Sequence, residues 1–213
     1  MKCYCISGLG ADKRAFKHLD INLELIHIEW TKPLKNESIS SYSKRLLVQI
    51  DTKEPFLLLG LSFGGIIASE LAQITSPEKV IHISSIINRK HLPLIFRIIG
   101  FIGIHKIIPA KWLSPPMGIA NWIFGLKKTQ NKTLFTEIIS DSDKDFLKWA
   151  IEQLLGKEIH HPKNLIRIHG TNDKLLPLSD SNDIITIKDG GHLMILEQYN
   201  DVNEALIKAL SNN

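Results

Sequence analysis

The sequence predicts an α/β fold: one parallel sheet of about six strands, helices on both faces, and a helical insertion before the last strands. Three observations predict it. Apolar strand-like runs alternate with helix-periodic stretches along the chain. The run "PFLLLG" (55–60) carries almost no polar group, as a central strand buried on both faces should. The gap between the fourth and fifth strand-like runs is too long for one crossover, so residues 88–156 read as an insertion into a core of residues 1–87 and 157–213.

Each element has its own signal. "KCYCIS" (2–7) is the first strand, ending at Gly8, and residues 11–20 suit a short helix. "LELIHIEW" (23–30) is the second strand, stopped by "TKP". Residues 38–50 set Ile39, Tyr42, Leu46, Leu47 and Ile50 at helical spacing. "PFLLLG" is the third strand and leads through Ser62 into a helix that ends near "TSPEK". "VIHIS" (80–84), "NLIRIHG" (164–170) and "DIITIKD" (183–189) are strands four to six. Residues 197–210 close the chain as a helix with Val202, Ala205, Leu206 and Leu210 as its apolar stripe. Strands separated by helices pair in parallel through right-handed crossovers.

Composition sets the class. The chain has 213 residues, 44% hydrophobic and 23% charged, enough to bury one core. Its two cysteines, Cys3 and Cys5, alternate on one strand and cannot close an ordinary disulfide. That usage fits a reducing compartment, and "MKCYCISGLG" lacks the long apolar run of a secretion signal, so a cytoplasmic location is expected.

The net charge of +4 is unevenly placed. No acidic residue falls between Glu78 and Glu137, while Lys79, Arg89, Lys90, Arg97, Lys106, Lys111, Lys127, Lys128 and Lys132 do. Residues 88–156 carry ten basic against five acidic side chains, and the rest carries sixteen against seventeen. The excess therefore belongs to the insertion, and it fits transient attraction to anionic surfaces. No recognition motif accompanies the charge, so no nucleic-acid partner is expected. The same segment is apolar: "LPLIFRIIGFIGIHKIIP" (92–109) is near the length of a membrane span. Its two glycines, three polar side chains and flanking prolines favour short lid helices instead.

The chemistry centres on Gly60-Leu61-Ser62-Phe63-Gly64, a G-x-S-x-G pattern between a strand and a helix. Glycines two residues either side of a serine admit a tight turn where bulkier neighbours would collide, and Gly65 and Ala68 let the helix lie close to the sheet. A serine hydroxyl needs a base, and the base an orienting acid. "IRIHGTNDKLLP" places Asp173 just after strand five, and "IKDGGHLMILE" places His192 just after strand six. In a parallel sheet the strand ends share one rim, so Ser62, Asp173 and His192 belong to the same edge.

On these residues the chain resembles the α/β-hydrolase fold serine hydrolases, the esterase and lipase type. "HGTNDKLLP" is similar to that family's H-G-x-x-D-x-x-x-P segment, and "GGHLMILE" to its G-G-H-x-x-x-x-E segment, with Glu197 opening the last helix. The order Ser, Asp, His is the family's. The resemblance implies Ser62 as nucleophile, His192 as general base and then acid, and Asp173 as its orienter. It implies an oxyanion hole from the backbone N–H groups of Phe63 and, in the loop after strand one, Leu9. Two departures stand out. The family commonly has His-Gly where this chain has Ser7-Gly8, and it usually begins with an antiparallel strand pair that this chain lacks. The expected fold is thus a trimmed three-layer α/β-hydrolase sheet of order 2-1-3-4-5-6, with strand two at a thinly covered edge.

Several other residues have structural readings. His160-His161 is no metal pair, since adjacent residues rarely face one ligand. His169 suits a loop hydrogen bond and His82 a core position. "SDSDKDFLKW" (140–149) lacks the glycine and terminal glutamate of a calcium loop and reads as a capped helix start. "SGLGAD" lacks the third glycine of a dinucleotide fingerprint. The function expected is hydrolysis of a small-molecule carboxylic ester or thioester with an apolar acyl group, under a lid containing Trp112 and Trp122, without metal or organic cofactor. Cofactor-free lyase chemistry on the same fold and plain binding of an apolar ligand are the alternatives.

Overall fold

A computed structural model of the chain describes residues 1–102, 116–156, 160–178 and 183–211. Six strands form one sheet: β1 (Lys2–Ile6), β2 (Glu24–Ile28), β3 (Phe56–Leu61), β4 (Lys79–Ile83), β5 (Leu165–Gly170) and β6 (Ile185–Ile187). They lie in the order β2-β1-β3-β4-β5-β6. Every pairing is parallel.

Alternation along each strand divides the apolar residues between two cores. On one face, Cys3, Cys5, Leu57, Leu59, Leu61, Ile81 and Ile83 pack with Phe16, Val202 and Leu206. On the other, Tyr4, Ile6, Leu58 and Val80 pack with Tyr42, Leu46, Ile67, Leu71 and Trp149. All six residues of β3 are buried, since both faces of this central strand are covered. Cys3 and Cys5 are buried free thiols.

The helices arise where the sequence offers caps. Ser38 Oγ accepts from Ser41 N at 3.2 Å and starts α1 (Ile39–Leu46), which tightens into a 3₁₀ turn at Leu47–Gln49. The stretch expected as a short helix at 11–20 is a single 3₁₀ turn, Lys13–Phe16, started by the Asp12 carboxylate on Arg14 N. Helix α2 (Phe63–Ala72) follows β3 directly. Between β4 and β5 come α3 (Leu94–Ile102), α4 (Met117–Ile123), α5 (Thr129–Asp141) and α6 (Lys144–Gly156). The chain ends with the single turn α7 (Met194–Glu197) and then α8 (Tyr199–Ser211), which buries Val202 and Leu206. Glu197 therefore closes a short helix and does not open the last one. Strand β6 is shorter than the sequence pattern suggests, because only three of its residues find partners on β5.

The inserted helices are stitched into the core. On α6, Phe146, Trp149, Ala150 and Leu155 are buried in the α2-side core. Trp149 Nε1 donates to Glu37 O at 2.8 Å, and Gln153 Oε1 accepts from Ile39 N at 3.1 Å. Asp143 Oδ1 accepts from Asp145 N and Phe146 N, the capped helix start expected of this acidic run. Among the described residues no helix is long and apolar enough to cross a membrane. The end of the apolar run with Lys106, and Lys111 and Trp112 just after it, fall in residues 103–115, outside the described residues.

Close backbone approach makes glycine obligatory at the β3–α2 turn. A Cβ on Gly64 would run into the carbonyl oxygens of Ile6 and Ser7, and one on Gly60 into the backbone of Gly64 and Gly65. Gly64→Ala is expected to destabilise the protein by roughly 3 kcal/mol or more. For a chain this long that is a fall of about 6–12 °C in melting temperature. Gly118 lies within α4, and nothing stands within 4 Å of where its Cβ would be. Gly118→Ala should instead stabilise by about 0.5–1 kcal/mol through helix propensity. Thermal denaturation of both variants checks the two opposite signs, and equal melting temperatures would refute the close-approach argument.

Candidate active site

Ser62 occupies the turn between β3 and α2 with φ 53° and ψ −118°. Such a conformation costs a non-glycine residue about 1–3 kcal/mol, and the surroundings must hold it. They do so at several points. Ser62 N donates to Ile83 O at 2.9 Å, while Ser62 O accepts from Ser85 Oγ at 2.7 Å and from Gly65 N at 3.0 Å. Next to it, Phe63 is buried among Trp30, Phe146 and Trp149, with ring centroids 6.0–6.4 Å away. The turn thus projects the hydroxyl off the rim, with the start of α2 behind it.

The other two residues come to the same rim from the ends of β5 and β6. Ser62 Oγ lies 2.8 Å from His192 Nε2, and His192 Nδ1 lies 2.8 Å from Asp173 Oδ2. His192 and Asp173 are buried, and Ser62 is half-buried. Asp173 Oδ1 accepts from Leu175 N at 3.0 Å and from Leu176 N at 2.8 Å. Burial works against the charged form of Asp173. The adjacent His192, hydrogen bonds from His169 and His192, and the Leu176 N–H outweigh it and hold the carboxyl well below the usual carboxylate range. An ionised Asp173 can only accept, so His192 Nδ1 carries the proton that it donates. With the Nδ1 proton given to Asp173, Nε2 of a neutral ring would be the atom free to accept from the Ser62 hydroxyl.

Two glycine pairs let these loops meet. Gly170 and Gly190 lie so close that a Cβ on Gly170 would strike the Gly190 backbone, and Gly191 faces Gly125 in the same way. The second contact fixes the end of α4 on the histidine loop. Leu193 N donates to Phe124 O at 3.0 Å, and the Phe124 ring stands edge-on to His192 at 5.4 Å. Glu197 secures the next segment. Its Oε1 accepts from Lys127 N, Lys128 N and Asn131 Nδ2 at 3.0–3.1 Å, capping the start of α5. Sequence reading missed Phe124, Gly125 and this role of Glu197. The glycine in "IFGLKK" was the available signal, but its partner lies far away in the chain.

The loop after β1 shows what Ser7 does in place of a histidine. Ser7 Oγ donates to Ala11 O at 2.6 Å, and Trp30 Nε1 donates to the same oxygen at 2.9 Å. Ala11 N donates to Gly8 O at 3.0 Å, and Gly10 takes φ 72°. The loop is therefore closed from both sides of Leu9. Gly8 faces the Ser62 turn, and a Cβ there would stand 3.5 Å from Ser62 Cβ. Among the described residues the N–H groups of Leu9 and Phe63 have no protein acceptor. Beyond this loop a cavity of about 200 Å³ lies between Trp30 and Phe146, with Gly10, Ala11, Asp141 and Ser142 in its walls.

Three other histidines have structural partners. His169 Nε2 donates to Leu176 O at 2.7 Å and sits 3.3 Å from Asp173 Oδ2, so it ties the acid loop to β5. His82 lies in the core with Nε2 3.1 Å from Ser69 Oγ, and burial beside Arg167 pushes its pKa down to about 3. His160 Nδ1 lies 2.6 Å from Glu70 Oε1. Among the described residues no three His, Cys, Asp or Glu side chains converge as a metal site would need.

Neither a protein-family description nor a curated protein matches the sequence. Solved structures do match in shape. An esterase from Exiguobacterium antarcticum superposes with a TM-score of 0.71 at 14% identity, over 100% of this chain and 92% of that one. A bromoperoxidase from Bacillus anthracis gives 0.71 at 14%, over 99% and 92%. A meta-cleavage product hydrolase from Pseudomonas fluorescens gives 0.68 at 18%, over 99% and 90%. Strand order and these likenesses agree: the chain has the α/β-hydrolase fold.

Proposed function

We propose that this chain is a serine hydrolase that cleaves a small-molecule carboxylic ester or thioester through an acyl-enzyme. One observation carries the reading: the unbroken hydrogen-bond path from Ser62 Oγ through the His192 ring to Asp173. His192 Nε2 takes the hydroxyl proton as Ser62 Oγ bonds to the carbonyl carbon, and Asp173 holds the imidazolium in place. The tetrahedral intermediate collapses, the bond to the alcohol or thiol breaks, and His192 returns the proton to that leaving group. Water then enters, gives a proton to His192 and attacks the acyl carbon. The acid leaves as Ser62 recovers its hydrogen.

The free N–H groups of Phe63 and Leu9 suit an oxyanion hole, where each donor is worth about 3 kcal/mol in the transition state. The reaction needs no metal or organic cofactor. Residues 88–156 serve as a lid, and the Phe124 ring beside His192 favours an apolar acyl group. Buried free Cys3 and Cys5 suit a reducing location, the cytoplasm.

A fluorophosphonate should label Ser62 covalently in the parent protein and fail to label Ser62→Ala, as peptide mass spectrometry would show. Failure of the folded parent to react would sink the reading. Ser62→Ala should lower kcat on a panel of esters and thioesters of graded acyl length by at least about 10³-fold. Asp173→Asn should lower kcat by about 10⁴-fold, because the ring loses its fixed tautomer. Asp173 also makes a pH prediction. Its native pKa is depressed, so the stability it adds is fully present above the unfolded-state value of about 4 and is lost as pH falls through the native value. Denaturant unfolding of parent and Asp173→Asn should show a gap that is constant near neutrality and shrinks in acid; a gap of constant size would refute the assignment of charge.

A further inference from the structure

Helix α3 is apolar on two opposite sides. Phe96 and Ile99 face inward and pack against the α2-side core. The outward stripe, Leu94, Ile95, Ile98 and Phe101, recurs at helical spacing and is 65%, 58%, 43% and 91% exposed. Single exposed apolar residues are ordinary, but four in one stripe on a nine-residue helix need a cover. The surrounding charge indicates which cover. Arg97 is exposed on the helix itself, with Lys90 and Arg89 in the turn before it. No acidic residue occurs between Glu78 and Glu137. Helix α6, against which α3 packs, brings Lys144 and Lys148 as well as Asp145 and Glu152, so it does not reverse the sign.

We infer that the outward stripe of α3 docks on a bilayer surface containing anionic phospholipid, with the apolar side chains entering the headgroup boundary and Arg97, Lys90 and Arg89 meeting the lipid phosphates. An apolar stripe flanked by basic residues on a helix too short to span is the pattern of a surface-lying helix. A second copy of the chain fits less well, because an isologous contact through this stripe would set Arg97 against the partner's Arg97 without intervening carboxylates. A substrate acyl chain fits less well too, since the stripe faces away from the core side of the helix. The inference does not depend on the hydrolase reading, and it fails or stands by lipid binding alone.

Vesicle co-sedimentation tests it with phosphatidylcholine alone and phosphatidylcholine mixed with phosphatidylglycerol. The parent should pellet at least about fivefold more with the anionic vesicles at low salt, and that excess should fall by half or more at about 0.5 M salt. Two variants separate the apolar and ionic parts: Ile98→Ser combined with Phe101→Ser, and Arg97→Glu. Both should drop to the neutral-vesicle level while keeping the parent's melting temperature, since every altered side chain is exposed. Equal recovery on both vesicle types, no recovery on either, or parent-like pelleting by both variants overturns the inference. So does a dimer in gel filtration that the double variant converts to a monomer, if no vesicle recovers the parent.

Discussion

Everything at the rim depends on the backbone of one residue. Ser62 is held at φ 53° between the last residue of a fully buried strand and the first turn of a helix. A serine left to itself would relax to an extended or helical conformation. It stays because its N–H and carbonyl are taken up by Ile83, Ser85 and Gly65, and because Phe63 cannot leave its aromatic surroundings. The strain is small beside the burial of β3 and α2, so the core fixes the hydroxyl's direction. The same turn leaves the Phe63 N–H without an acceptor among the described residues, directly beside the Ser62 hydroxyl.

The second constraint is contact between glycines. Asp173 and His192 lie on separate loops that could approach each other in many ways. Gly170 against Gly190 removes most of that freedom by letting the two loops touch backbone to backbone. Gly125 against Gly191 then ties the inserted helices to the histidine loop, and Glu197 holds the start of α5 through three donors. The inserted segment is therefore fastened to the rim on two sides: at the histidine loop through α4 and α5, and at the β1 loop, where Leu147 and Ser142 crowd Gly10. A shift of these helices would be felt at His192 through Phe124.

The insertion combines two physical characters. Helix α6 buries aromatic residues beside Phe63 and belongs to the α2-side core. Helix α3 turns a large apolar stripe outward among basic neighbours. The rest of the chain is nearly neutral, so the excess of positive charge is confined to the segment between β4 and β5.

The sequence by itself determined the sheet, the tight turn at Ser62 and the identity of the three residues that meet. Those features are written locally: six apolar runs set the strands, and glycines around Ser62 permit the turn. Asp173 and His192 were legible because parallel strands deliver their following loops to one edge whatever the details. Tertiary structure decided the rest, because it depends on residues distant in sequence. The role of Ser7 became intelligible only when its hydroxyl was seen on Ala11 O, with Trp30 on the same oxygen. Glu197 read as the start of a helix, yet three donors at the start of α5 claim it. The reason for Gly191 is Gly125, sixty-six positions earlier, and no periodicity in either stretch encodes that contact. Period and turn chemistry are properties of neighbours along the chain; close approach is a property of the folded whole.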